Sequence, residues 1–157
     1  MKNKIIILTA LTAISLLAMS GVSLAATKNN NLNVTASVVA NCNITSVTDI
    51  TFGTYDTTSA TPLDANGDMT FRCTKNTSYK AYITGTRTMT GSGADTLTFT
   101  LFSDAGHTTS FPIDNSGAPT SAPSNAPISK TVYGRIPATQ DVGVDSYAQV
   151  LVATVEY

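Results

Sequence analysis

The residues that could do chemistry are few, and their spacing argues against catalysis. His107 is the only histidine, and with Ser103 and Asp104 it supplies the residue types of a nucleophilic hydrolase. All three crowd one loop, with no separate base, orienting group or oxyanion donor, so His107 is read as a surface histidine. Asp64-Ala65-Asn66-Gly67-Asp68 is reminiscent of a calcium loop, but its glycine is misplaced and the twelfth position is Lys75 instead of glutamate. It is read as a hairpin turn closed by Asn66-Gly67. Gly91-Ser92-Gly93 lacks the lysine of a phosphate loop and the glycine spacing of a nucleophile elbow. No enzyme activity, cofactor or metal is expected.

Cys42 and Cys73 are the only cysteines, and their role depends on compartment. Residues 1–25 read as an export signal: Lys2 and Lys4 give the positive start, residues 5–17 an apolar core, and Ser23-Leu24-Ala25 a small-residue cleavage site. The apolar run is short for a membrane span, and polar residues follow it at once. In an exported chain the pair is expected as a disulfide rather than a redox or metal pair. Closing that loop contributes on the order of 3.5 kcal/mol by restricting the unfolded chain. Losing Lys2 and Lys4 from a formal net charge of −1 leaves −3. Such a chain has no basic patch for nucleic acid or anionic lipid.

The elements that must carry these residues are strands. Charged residues are 12% of the chain, against about 25% in ordinary domains, and threonine, which suits a pleated surface, is abundant. From Leu32 to Ile44 every even-numbered residue is apolar: Leu32, Val34, Ala36, Val38, Ala40, Cys42 and Ile44. That period of two predicts one strand over residues 32–44, roughly 40 Å long if straight. A compact body made from the rest of the chain is only about 35 Å across. With no Gly or Pro to fold its first half back, the strand is expected to reach a second protein body.

Residues 50–52 predict a short strand ended by Gly53, and residues 56–68 are turn-rich. Met69, Phe71 and Cys73 alternate with polar residues as a half-buried strand; residues 79–84 follow, stopped by Gly85. After a flexible turn at residues 91–93 come Leu97, Phe99 and Leu101 in the same rhythm. Residues 104–127, with Pro112, Pro119, Pro123 and Pro127, read as a long surface loop, and residues 112–127 are a place for contact between subunits or with a surface. Val132, Tyr133 and Ile136 belong to a strand broken by Pro137. Tyr55, Tyr79, Tyr82 and Phe111 are read as core or rim. Residues 147–157 are apolar on both faces and belong mid-sheet, yet nothing follows Tyr157 to pair beside them. Six or seven such strands predict an immunoglobulin-like sandwich.

Val39-x-x-Cys42-x-Ile44, Phe52-Gly53-x-Tyr55-Asp56, Phe71-Arg72-Cys73-Thr74, Leu97-x-Phe99-x-Leu101-Phe102, Val132-Tyr133-Gly134-Arg135-Ile136 and the strand ending at Tyr157 together resemble the spore coat U domain family, in particular the major pilins of Csu-type archaic chaperone–usher pili. The resemblance implies an all-β, incomplete immunoglobulin-like β-sandwich completed by donor-strand exchange. It implies a signal peptide over 1–25, a donor extension over 26–38 and a pilin domain over 39–157. Leu32, Val34, Ala36 and Val38 become the donor side chains, Cys42 and Cys73 the bridge, and Val150, Leu151, Val152, Ala153, Val155 and Tyr157 the acceptor edge.

The implied partners are other copies of the chain in a linear homopolymer, a periplasmic chaperone, an outer-membrane usher, and minor and tip pilins. The implied location is a pilus at the cell surface, reached through the periplasm, and the implied task is attachment and biofilm formation. Tip adhesins of such systems carry an adhesive domain ahead of the pilin domain, which this chain has no room for, so the rod subunit is expected. The competing reading is a secreted monomeric carbohydrate-binding or coat β-sandwich, which predicts a soluble monomer with ligand affinity.

Overall fold

A computed structural model of the chain describes residues 25–157. The leader expected over 1–25 lies almost wholly outside the described residues. The chain divides into two units, Met1–Ala36 and Ser37–Tyr157. In the first, residues 25–36 carry no regular secondary structure and are exposed.

The second unit is built from strands alone among the described residues: β1 (Cys42–Thr48), β2 (Leu63–Cys73), β3 (Ser78–Thr84), β4 (Thr88–Thr90), β5 (Thr96–Thr98), β6 (Thr100–Phe102), β7 (Thr120–Ser121), β8 (Ile128–Ile136) and β9 (Val152–Glu156). One antiparallel sheet has the order β1-β2-β8-β6, a second the order β7-β3-β9, and β4 and β5 form a separate ribbon. The chain is an all-β sandwich of the immunoglobulin-like kind.

Alternation dictates the core. Met69, Phe71 and Cys73 of β2 are buried with Tyr79 of β3 and Ala122. A second buried cluster gathers Ile83, Leu97, Phe99, Leu101, Phe111, Val132 and Ile136. Phe71 and Tyr79 meet edge to face at 5.0 Å between centroids, a geometry aromatic pairs prefer. Of the four aromatic residues expected at the core or rim, Tyr79 and Phe111 are buried at 4% exposure each.

Several expectations are corrected. The strand expected over residues 32–44 begins only at Cys42, because alternation sets which side chains share a face but a strand also needs a partner backbone, and residues 32–40 have no ladder. Residues 50–52 are irregular, although Ile50 and Phe52 still pack on the core. Asn66-Gly67 is no turn: it lies inside β2, opposite Tyr133 and Val132 in a nine-pair ladder. Gly67 is there for close approach, since a Cβ would strike the Thr48 carbonyl oxygen and lie 2.8 Å from Ile50 Cγ1. The Leu97–Leu101 strand breaks at Phe99, with β5 pairing β4 and β6 pairing β8. The loop over residues 104–127 contains β7 and sends Phe111 and Ala122 into the core. The last strand is shorter than expected; among the described residues it pairs with β3 alone, which leaves the side where a mid-sheet strand needs a neighbour unoccupied.

Candidate functional site

The second unit carries an open cleft of about 1050 Å³. Its floor is the apolar core itself, including Met69, Leu97, Phe99, Leu101, Val132 and Ile136. One wall is residues 47–57, the irregular continuation of β1; the other is residues 142–151 with Ala153, leading into β9. Neither wall is finished. Among the described residues β1 pairs only with β2 and β9 only with β3, so each presents a free backbone edge. Edges of this kind are templates for another strand.

Hydrogen bonds between residues far apart in sequence tie the two sides together at and beyond the cleft. Tyr55, at the end of the first wall, donates its hydroxyl to the Pro137 carbonyl at 2.8 Å and accepts from the Gln140 amide at 2.9 Å, just ahead of the second wall. Tyr157, past the end of β9, donates to Asn41 Oδ1 at 3.2 Å, just ahead of β1. Between these ties the walls hold to their own sides. Phe52 leans on Phe99 with 6.2 Å between centroids. Val142, Tyr147 and Leu151 pack on the core from the opposite side.

The second wall is braced from outside by the β4–β5 ribbon. Thr90 and Ala148 exchange both backbone hydrogen bonds at 3.1 Å. Gln140 accepts from the Thr98 amide at 2.8 Å and donates to its carbonyl at 2.9 Å. Gln149 donates to the Thr86 hydroxyl at 2.7 Å, and the Gly143 amide donates to Asp95 at 2.8 Å. Asp145 Oδ2 accepts from the Ser92 amide, the Ser92 hydroxyl and the Gly93 amide. Those donors hold its carboxyl below the usual range, the Ser92 hydroxyl foremost.

The residues expected to form the site fall as follows. Leu32, Val34 and Val38 are 87%, 86% and 84% exposed, and Ala36 is exposed too. Val150, Leu151 and Ala153 line the cleft. Val152 is exposed, Val155 packs on the cluster around Phe71 and Tyr79, and Tyr157 makes the tie to Asn41. Cys42 and Cys73 are bonded. The first wall and the ribbon brace were not anticipated; the spacing of Ile50, Phe52 and Tyr55 was the available signal for the former.

His107, expected at the surface, is instead covered. Its side chain is 9% exposed and its Nε2 lies 3.8 Å from Asp64 Oδ1. The ring stands edge-on to Phe102 at 5.1 Å and Tyr133 at 6.2 Å. Asp64 takes two 2.7 Å hydrogen bonds from Arg135, which depress its carboxyl below the ordinary range. Ser103 donates to the Thr109 carbonyl, and Asp104 accepts from the Thr108 and Thr109 amides. The trio of Ser103, Asp104 and His107 therefore shapes and docks a loop and is not assembled as a nucleophile set.

Comparison with known proteins agrees with this architecture. Residues 28–154 match the model of the family described as Spore Coat Protein U domain. No curated protein matches the chain. Among solved structures, a chain of the CsuC–CsuE chaperone–tip adhesion subunit pre-assembly complex, from archaic chaperone–usher Csu pili of Acinetobacter baumannii, is similar with a TM-score of 0.52. Identity is 20%, over 77% of this chain and 40% of that one, so the chain spans less than half of its neighbour's length and the likeness is one of fold.

Proposed function

The chain belongs to the Spore Coat Protein U domain family, and on that premise we propose that it is a structural, non-catalytic subunit of an archaic chaperone–usher pilus. The observation that carries this reading is the cleft: an apolar floor between two irregular walls that continue from the unpaired edges of β1 and β9, as in a sandwich short of one strand. A strand laid there satisfies a row of backbone groups while its alternate side chains enter the floor.

The occupant is the arm of another copy. Leu32, Val34, Ala36 and Val38 share one face of an extended segment and are exposed. The second wall, residues 142–151, is ten residues long, or roughly 33 Å as a strand, and the apolar alternation from Leu32 to Ala40 is of nearly the same length. Burying two valines, a leucine and an alanine contributes roughly 5–8 kcal/mol before ordering costs. The acceptor edge is Val150, Leu151, Val152 and Ala153, with Val155 and Tyr157 fastening its end.

A contact between a front arm and a rear cleft does not close on itself and generates an open filament. In this reading the chain is the repeating rod subunit, a periplasmic chaperone covers the cleft until an outer-membrane usher exchanges it for the next arm, and minor and tip pilins complete a surface fibre for attachment and biofilm formation. The fold shared with the chaperone–tip adhesion subunit complex supports the family of mechanism. Deleting residues 26–38 tests it: the shortened chain, produced with its chaperone, is expected to fold with the disulfide formed and to give no multimers. Multimers of the shortened chain would contradict the reading.

A further inference from the structure

The second cleft wall is not held by a β-ladder along most of its length. Between Gly143 and Gln149 its backbone meets the rest of the sandwich through one isolated bridge, Thr90 to Ala148, and through side chains. The densest fastening is at Asp145. One carboxylate oxygen, Oδ2, gathers the Ser92 amide at 2.6 Å, the Ser92 hydroxyl at 2.8 Å and the Gly93 amide at 3.2 Å, while Oδ1 accepts the Ser146 amide at 2.7 Å. The approach depends on Gly91, where a Cβ would collide with the carboxylate and lie 2.7 Å from its Cγ. Val144 and Val150, one residue before Asp145 and five after it, are wholly or largely exposed, so packing does not hold them.

We propose that Asp145 is a positioning residue for strand capture: by pinning residues 143–149 to the turn between β4 and β5, it sets the wall against which an incoming strand must pair. The inference rests on reading the cleft as a strand acceptor. A charge-assisted acceptor for several donors is stronger than a neutral one, and preorganising a binding edge raises affinity by removing ordering cost at the moment of binding. The titratable groups near Asp145 are Tyr147 on the wall itself, which feels both Asp145 and Asp95, and Asp95, which fastens Gly143 two residues before it. Among the described residues Asp145 has no ion-pair partner, so its donors are these amides and the hydroxyl.

The sign of the acid response follows. Asp145 is a carboxylate depressed in the folded state, so its fastening is complete at neutral pH and weakens as pH falls through its lowered pKa.

The experiment follows exchange of a fluorescent synthetic peptide of residues 30–40 into multimers of the full exported chain, between neutral pH and about pH 2, so that the range passes below an ordinary carboxylate. The parent is expected to exchange slowly at neutral pH and faster on acidification. Asp145→Asn is expected to exchange about fivefold faster at neutral pH, the scale of one lost hydrogen bond, and to show a smaller acid step, with disulfide and circular dichroism unchanged. Ser92→Ala, which removes the hydroxyl and leaves both amides, is expected to shift the rate the same way by less. Parental rates and an unchanged pH profile in both variants would overturn the inference. If Asp145→Asn fails to fold, a parental rate in Ser92→Ala overturns it alone. Refusal of the peptide by the parent at every pH would instead overturn the acceptor reading beneath it.

Discussion

Cys42, the first residue of β1, is bonded to Cys73, the last residue of β2, at the pair where the ladder between the two strands begins, with Cα atoms 4.1 Å apart. The bond therefore locks the strand that leads into the first cleft wall onto the strand at the centre of its sheet. Beside it, the Thr74 hydroxyl and amide donate to the Val39 and Asn41 carbonyls just ahead of Cys42.

Replacing both cysteines by serine is expected to lower stability by about 3–4 kcal/mol, given the 31-residue separation. Urea unfolding followed by circular dichroism checks it. An unchanged midpoint would show that β1 is held by its ladder alone.

Gly67 lies under the Thr48 carbonyl and Ile50, where the first wall begins. Gly67→Val is expected to push that wall away from β2 and to cost about 1–3 kcal/mol by overpacking. A lowered thermal midpoint with the disulfide intact is the expected result.

The core strands and Asn66-Gly67 show what local sequence can carry. Met69, Phe71 and Cys73, and likewise Leu97, Phe99 and Leu101, are core residues whose period of two was enough to identify them. Asn66-Gly67 has the chemistry of a tight turn, but a ladder with residues far along the chain overrides it, and no local signal records that ladder. His107 is covered by Phe102 and Tyr133, which come from β6 and β8 and leave no local signal beside it in the sequence. The disulfide and the apolar last strand were legible. The cleft was legible only as a missing neighbour for that strand; its first wall is irregular chain positioned by Tyr55, Phe52 and Ile50, whose partners are all distant.

Val150 lies on the cleft wall and is 87% exposed. Val150→Asp is expected to leave folding within about 0.5 kcal/mol of the parent, as for exposed sites generally, yet to reduce multimers sharply by placing a charge where a strand must dock. Phe99→Ala, on the floor, is expected to cost about 3–5 kcal/mol of stability as a core truncation. Size-exclusion chromatography beside thermal unfolding separates the two effects. Equal multimer yield in Val150→Asp and parent would remove this wall from the interface.

The most direct test of the central claim places a photo-crosslinking phenylalanine analogue at position 34 of the full chain, in a mixture of isotopically light and heavy copies. The account predicts a ladder of covalent multimers in which position 34 of one copy is joined to residues 47–57, residues 142–153 or the cleft floor of another, as mixed-isotope peptides. Adducts confined to single-isotope peptides, with the arm bound to its own chain and the protein monomeric, would contradict it.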